Sequence, residues 1–83
     1  MLKIGEFSKL SHLTIKALRF YEKRGLLIPQ KVDEQTGYRF YETSQLKEAA
    51  RIKSYRQLGL TIEEIQAINQ GTNLKEVLIS KAK

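Results

Sequence analysis

Cysteine is absent from the chain, which excludes a disulfide framework and any thiolate metal site. Tryptophan is absent too, and the one histidine, His12, cannot by itself complete a metal site or a nucleophile–base–acid set. The nine carboxylates are scattered and the five glycines dispersed, so neither a catalytic acid–base pair nor a glycine-rich phosphate loop can be assembled. No run approaches the roughly 20 apolar residues of a membrane-spanning helix. The opening MLKIGEFSKL has neither the long apolar core nor the small-residue cleavage site of a secretory signal. With 83 residues, one domain around one modest core is the ceiling. A cytoplasmic protein with no enzyme activity, cofactor or metal is expected.

What the chain does have is positive charge. It carries 15 Lys+Arg against 9 Asp+Glu, for a net +6. Residues 1–60 hold 12 basic and 6 acidic side chains, a difference of +6, and residues 61–83 hold 3 of each. The whole excess therefore lies in the first 60 residues, as if a polyanion-facing part were followed by a neutral one. A solvated basic surface that serves solubility would leave the same imprint, so charge alone does not decide.

Hydrophobic spacing and punctuation outline the elements. Ile4, Phe7 and Leu10 recur at the spacing of one helical face. Ser11-His12-Leu13 reads as a turn, and Thr14 as the N-cap of a second helix that runs to about Arg24 and stops at Gly25. Helix, short turn and second helix form a helix-turn-helix. Pro29 rules out a continuing helix. The runs 30–32 and 38–41 flank the polar loop Asp33-Glu34-Gln35-Thr36-Gly37 and read as a β-hairpin. A third helix should start near Thr43 or Ser44 and end before Gly59. Thr61 and Glu64 make a capping box for a fourth, with Leu60 and Ile65 as its hydrophobic staple. Asn69-Gln70-Gly71 stops it, and Asn73 with Glu76 opens a fifth. The expected fold is mainly α: a winged helix-turn-helix of four short helices and one small hairpin wing over 1–70, then a linker and the start of a further helix over 71–83.

On a wheel of about 100° per residue, the second helix divides in two. Ile15, Ala17, Leu18 and Tyr21 form a core stripe, while Lys16, Arg19, Phe20 and Lys23 form a basic arc with one aromatic ring in it. Such an arc suits a polyanion, with cations on phosphates or guanine edges and the ring on a sugar or thymine methyl. Phe20 could equally pack on the hairpin or a neighbouring helix. Lys31 and Arg39 on the hairpin, and Lys53 and Arg56 on the third helix, add cations from separate elements.

These residues also form a known pattern. The run Thr14-Ile15-Lys16-Ala17-Leu18-Arg19-Phe20-Tyr21-Glu22, followed by Gly25-Leu26-Leu27, resembles the recognition helix of the MerR family. Thr36-Gly37-Tyr38-Arg39-Phe40-Tyr41 is similar to that family's wing, and Gln57 to Ile65 to its second, helical wing. The three motifs stand in the family's order over about residues 2–70, and Ile-Lys-Ala-Leu-Arg is most similar to the multidrug-sensing branch. Phe20 stands where that branch usually has tyrosine, and Ser11-His12-Leu13 where the turn usually carries a glycine.

The resemblance implies a DNA-binding head of a dimeric transcription regulator that remodels a promoter spacer for RNA polymerase. It implies DNA contacts from Thr14, Lys16, Arg19, Phe20 and Tyr21 on the recognition helix, from Tyr38 and Arg39 on the wing, and from Arg56 before the second wing. The wheel agrees for Lys16, Arg19 and Phe20 but puts Tyr21 partly in the core. The homodimer would form through a helix continuing past residue 83, because Leu74, Val77 and Leu78 start an apolar stripe, with Lys81 at the next contact. Two other readings stay open: a stand-alone architectural or excision factor, and a protein-interaction module for an acidic partner.

Overall fold

The computed structural model describes residues 1–81 and contains five helices and three short strands among them: β1 Leu2–Lys3, α1 Ile4–Ser11, α2 Ile15–Lys23, β2 Lys31–Val32, β3 Arg39–Tyr41, α3 Gln45–Gln57, α4 Ile62–Asn69 and α5 Leu74–Lys81. Of the tail expected over 71–83, Ala82, Lys83 and the side chains of Ser80 and Lys81 lie outside the described residues.

The caps at Thr14 and Thr61 fall where the sequence puts them, and before α5 the Asn73 Oδ1 accepts the Lys75 N–H at 2.8 Å. Thr14 Oγ1 accepts the Ala17 N–H at 3.0 Å, which satisfies one orphan donor at the start of α2. After Lys23 the chain turns through Gly25, whose φ of 71° is left-handed backbone that costs glycine little. In front of α4, Thr61 and Glu64 exchange hydrogen bonds at 2.8 and 3.1 Å, and Leu60 and Ile65 are both fully buried. The first helix ends differently. His12 caps α1 at φ 60°, a conformation that non-glycine residues adopt only at a cost.

The hairpin is present, with Lys31 opposite Phe40 and Val32 opposite Arg39. Its loop is held by Asp33, whose carboxylate accepts the N–H groups of Gln35 and Thr36 at 2.9 and 3.2 Å. These bonds hold the Asp33 carboxyl below its ordinary value, the one from Thr36 contributing most. The sheet is larger than a hairpin, however. β1 pairs antiparallel with the other edge of β3, Leu2 opposite Tyr41 and Lys3 opposite Phe40, for a strand order β1-β3-β2. Two residues carry no readable period, so this strand was hidden in what looked like the lead-in to α1.

One core unites the elements. Phe7 of α1, Leu18 of α2, Tyr41 of β3 and Ala49 of α3 are fully buried together with Leu60 and Ile65, and Leu26, Leu27, Ile52 and Val77 close around them. The Phe7 and Tyr41 rings stack at 4.3 Å with an interplanar angle of 15°. Gln45 seals the joint to α3: its Nε2 donates to the Ile28 carbonyl at 2.6 Å, and its Oε1 accepts the Glu42 N–H at 2.9 Å. The architecture is a winged helix-turn-helix, with α1 and α2 as the helix pair, the three-stranded sheet as the wing, and α3 and α4 behind.

Candidate nucleic-acid interface

The wheel's division of α2 holds with one correction. Leu18 is fully buried and Tyr21 is 7% exposed, so both face the core. Ile15, placed in the same stripe, is 44% exposed, as exposed as Phe20. It is the first helical residue after the Thr14 cap; Leu13 and Ala17 on either side of it pack against the core, whereas Ile15 sits at the edge of the stripe, next to Arg19 on the wheel. The outward face therefore carries Ile15 and Phe20 beside Lys16, Arg19 and Lys23, all exposed. Residues three and four apart are neighbours on a helix surface, so Ile15 lies beside Arg19, Lys16 beside Phe20, and Arg19 beside Lys23.

Phe20 stays 44% exposed. Its ring meets groups of its own segment: the Tyr21 ring at 6.1 Å and the Arg24 guanidinium at 6.0 Å. Tyr21 is a core residue on this geometry, not a surface ring. Among the described residues none of Lys16, Arg19 and Lys23 is paired with a carboxylate. Three unneutralised cations around a half-exposed ring form a surface suited to an anionic polymer with apolar edges. Thr14 lies exposed at the amino end of this face; its hydroxyl oxygen is occupied by the cap, but its hydroxyl proton remains free to donate.

The wing cations differ from those of the helix. Arg39 is not an open cation. Its Nε donates to Glu22 Oε1 at 2.5 Å and its Nη1 to the Gly37 carbonyl at 3.1 Å, and its side chain is 24% exposed. Lys31 and Tyr38 are exposed, and Lys3 lies 5.7 Å from the Tyr38 ring centroid. Lys3, Lys9, Tyr38 and Arg39 line a cleft of about 480 Å³ between the first turn of α1 and the wing. Neither Lys3 nor Glu22 stood out in the sequence. Glu22 looked like one more charge on a helix, and only the fold reveals its partner 17 residues away.

On α3, Lys53 is half-buried and Arg56 exposed. Arg56 Nη1 donates to the Leu60 carbonyl at 2.7 Å, so it braces the turn into α4 from an exposed position. A second tie joins α2 to α4: Arg24 Nη2 meets Glu63 Oε1 at 3.1 Å, and Gln66 Nε2 donates to the Arg24 carbonyl at 2.6 Å. Among the described residues, no group of three or more His, Asp or Glu side chains could hold a metal ion, and no helix is long and apolar enough to cross a membrane.

Comparison with known proteins finds relatives of this chain. Residues 2–72 match the family described as MerR HTH family regulatory protein. The multidrug-efflux transporter 1 regulator of Bacillus subtilis is 48% identical over 63 residues, which is 76% of this chain and 23% of that protein. The HTH-type transcriptional regulator CueR of Escherichia coli is 40% identical over 63 residues, again 76% of this chain and 46% of the regulator. Among solved structures, EcmrR in its DNA complex within an open promoter complex superposes with a TM-score of 0.82 at 41% identity, covering 95% of this chain and 29% of EcmrR. The chain thus spans from about a quarter to just under half the length of these relatives.

Proposed function

Because the chain belongs to the MerR family of helix-turn-helix regulatory proteins, we propose that it is the sequence-specific DNA-binding head of a transcription regulator. The observation that carries this reading is the outward face of α2, where Lys16, Arg19 and Lys23 stand without carboxylate partners among the described residues around the half-exposed Phe20. The helix lies in the major groove, the groove wide enough to admit one. Lys16 and Arg19 reach base edges or phosphates; Phe20 and Ile15 supply apolar contact to thymine methyls or sugars. Thr14 donates to the backbone at the helix entrance. Tyr38 on the wing and Arg56 before α4 contact flanking phosphates, which set register without reading sequence. Tyr21 serves from below, as part of the core that fixes the helix.

In the intact regulator two heads read a two-fold site, held apart by a helix continuing from α5, and act on promoter DNA with RNA polymerase in the cytoplasm. The head works by binding alone and needs no cofactor, metal or catalytic group. The relatives named above are transcription regulators, and neither a stand-alone excision factor nor an acidic-partner module draws support from them.

A salt titration of labelled duplex tests the reading. Each cation that displaces a counterion adds about 0.9 to the slope of log affinity against log salt, so the three α2 cations alone give about 2.7, or roughly a 40-fold loss between about 50 and 200 mM. A flat response would sink the proposal.

A further inference from the structure

Arg39 carries the charge expected of a DNA ligand, but the fold has already spent it. One of its nitrogens is held by a carboxylate on the recognition helix, and another by a carbonyl in the wing's own turn. Gly37, which offers that carbonyl, turns the wing at φ 75°. A single planar guanidinium thus joins three things: strand β3, the tip of the wing, and the third turn of α2. Both side chains of the pair are 24% exposed, so the attraction is less screened than at an open surface.

Glu22 is placed for this and for little else. It lies between Tyr21, in the core, and Lys23, on the basic face. A carboxylate on a helix that meets DNA repels phosphate, which makes it a cost unless it does something the helix needs.

We propose that Glu22 is a positioning residue: through Arg39 it fixes the angle of the wing to the recognition helix, and the pair contributes no net charge to DNA. This rests on the DNA-binding reading above, but it turns a supposed phosphate contact into a brace. The consequence for Glu22 runs against simple electrostatics. Removing a negative charge from a DNA-binding surface should tighten binding; removing this one should weaken it.

The test compares Glu22→Gln, Arg39→Lys and the double variant in the full 83-residue chain. Glutamine keeps the shape of Glu22 without its charge. Lysine keeps the charge of Arg39 without the fork that holds two acceptors at once. Affinity for a random-sequence duplex is measured at several salt concentrations, and amide hydrogen exchange of Gln35 to Arg39 is followed without DNA. Each single variant is expected to bind about 3- to 10-fold more weakly, as for residues coupled in one ion-pair network, with an unchanged salt slope. The double variant should be no worse than either single one, and wing exchange should accelerate in all three. Tighter or unaltered binding by Glu22→Gln, or native affinity in Arg39→Lys, overturns the proposal, since a phosphate contact is served by any cation. If the unaltered chain fails to bind duplex, the proposed function falls, and wing exchange then decides the brace: unchanged exchange in Glu22→Gln refutes it and accelerated exchange supports it.

Discussion

Tyr41→Phe should make this protein more stable. Tyr41 is fully buried and stacked on Phe7, yet its hydroxyl has no hydrogen-bond partner among the described residues. Burial pushes the phenol's pKa up, so the group stays neutral, but a neutral hydroxyl still loses its water on folding. Leaving such a group unsatisfied costs about 1–3 kcal/mol. Phenylalanine removes that cost and keeps the ring, the stack and the strand. It forfeits only a few contacts of the oxygen, at about 0.1–0.2 kcal/mol each. The net gain should be about 1 kcal/mol, against a total of about 4–12 kcal/mol for a domain of this size. Thermal unfolding followed by circular dichroism should show Tm rising by about 4–8 °C for that gain. Tyr41→Ala provides the scale on the other side, a loss of about 3–5 kcal/mol when a large buried ring is removed. If Tyr41→Phe instead destabilised by more than about half a kcal/mol, the hydroxyl would have a partner in solution and the reasoning would be wrong. Binding to duplex should be unchanged, because Tyr41 lies beneath the interface.

Other perturbations address the interface and the tail. Lys16→Ala and Arg19→Ala should each weaken a selected site more than random duplex, by about 1–3 kcal/mol where a base edge is read; Arg56→Ala should weaken both alike, and selective damage by it would remove Arg56 from the backbone role. For pH, the Asp33 carboxyl is held below its ordinary value of 3.8, so its hold on the wing turn is complete above that value and is lost as pH falls through the lowered one. A carbon-13 titration of the Asp33 carboxyl should find its midpoint below 3.8, and a midpoint at or above it would mean that the turn is open in solution. The eight residues of α5 fall short of the roughly 12–15 at which isolated helices become even marginal, so the 83-residue chain should sediment as a monomer; a tight dimer would require another interface.

Local signals were legible in the sequence wherever a residue acts on its near neighbours. Thr14, Gly25 and the Thr61–Glu64 box mark helix ends through bonds that reach no further than a few positions, and the structure has them in place. The hairpin was legible because Asp33 and Gly37 suit a tight loop. What the sequence hid depends on distance along the chain. The strand Leu2–Lys3 exists only because Phe40 and Tyr41 lie beside it. Ile15 has the right spacing for the core stripe, but it lies at the stripe's edge, and a wheel cannot show how wide the buried face is. The same limit applies to Arg39: its residue type suggests a phosphate ligand, while Glu22, which occupies it, is 17 positions away.

The central position of β3 also imposes an order on folding. Its pairing with β2 spans nine residues, from Lys31 to Phe40, whereas its pairing with β1 spans 39, from Leu2 to Tyr41. Closing the longer loop costs about 1.3 kcal/mol more in chain entropy. On the ribosome, at about 5–20 residues per second, residues 2 and 3 wait several seconds for their partners to be made. Helices α1 and α2, which pack on each other in the fold, are synthesised during that wait, but Tyr41, on which Phe7 stacks, comes only at its end. The same short strand that takes up Leu2 and Lys3 also brings Arg39 to Glu22, so three residues complete the sheet and tie it to α2.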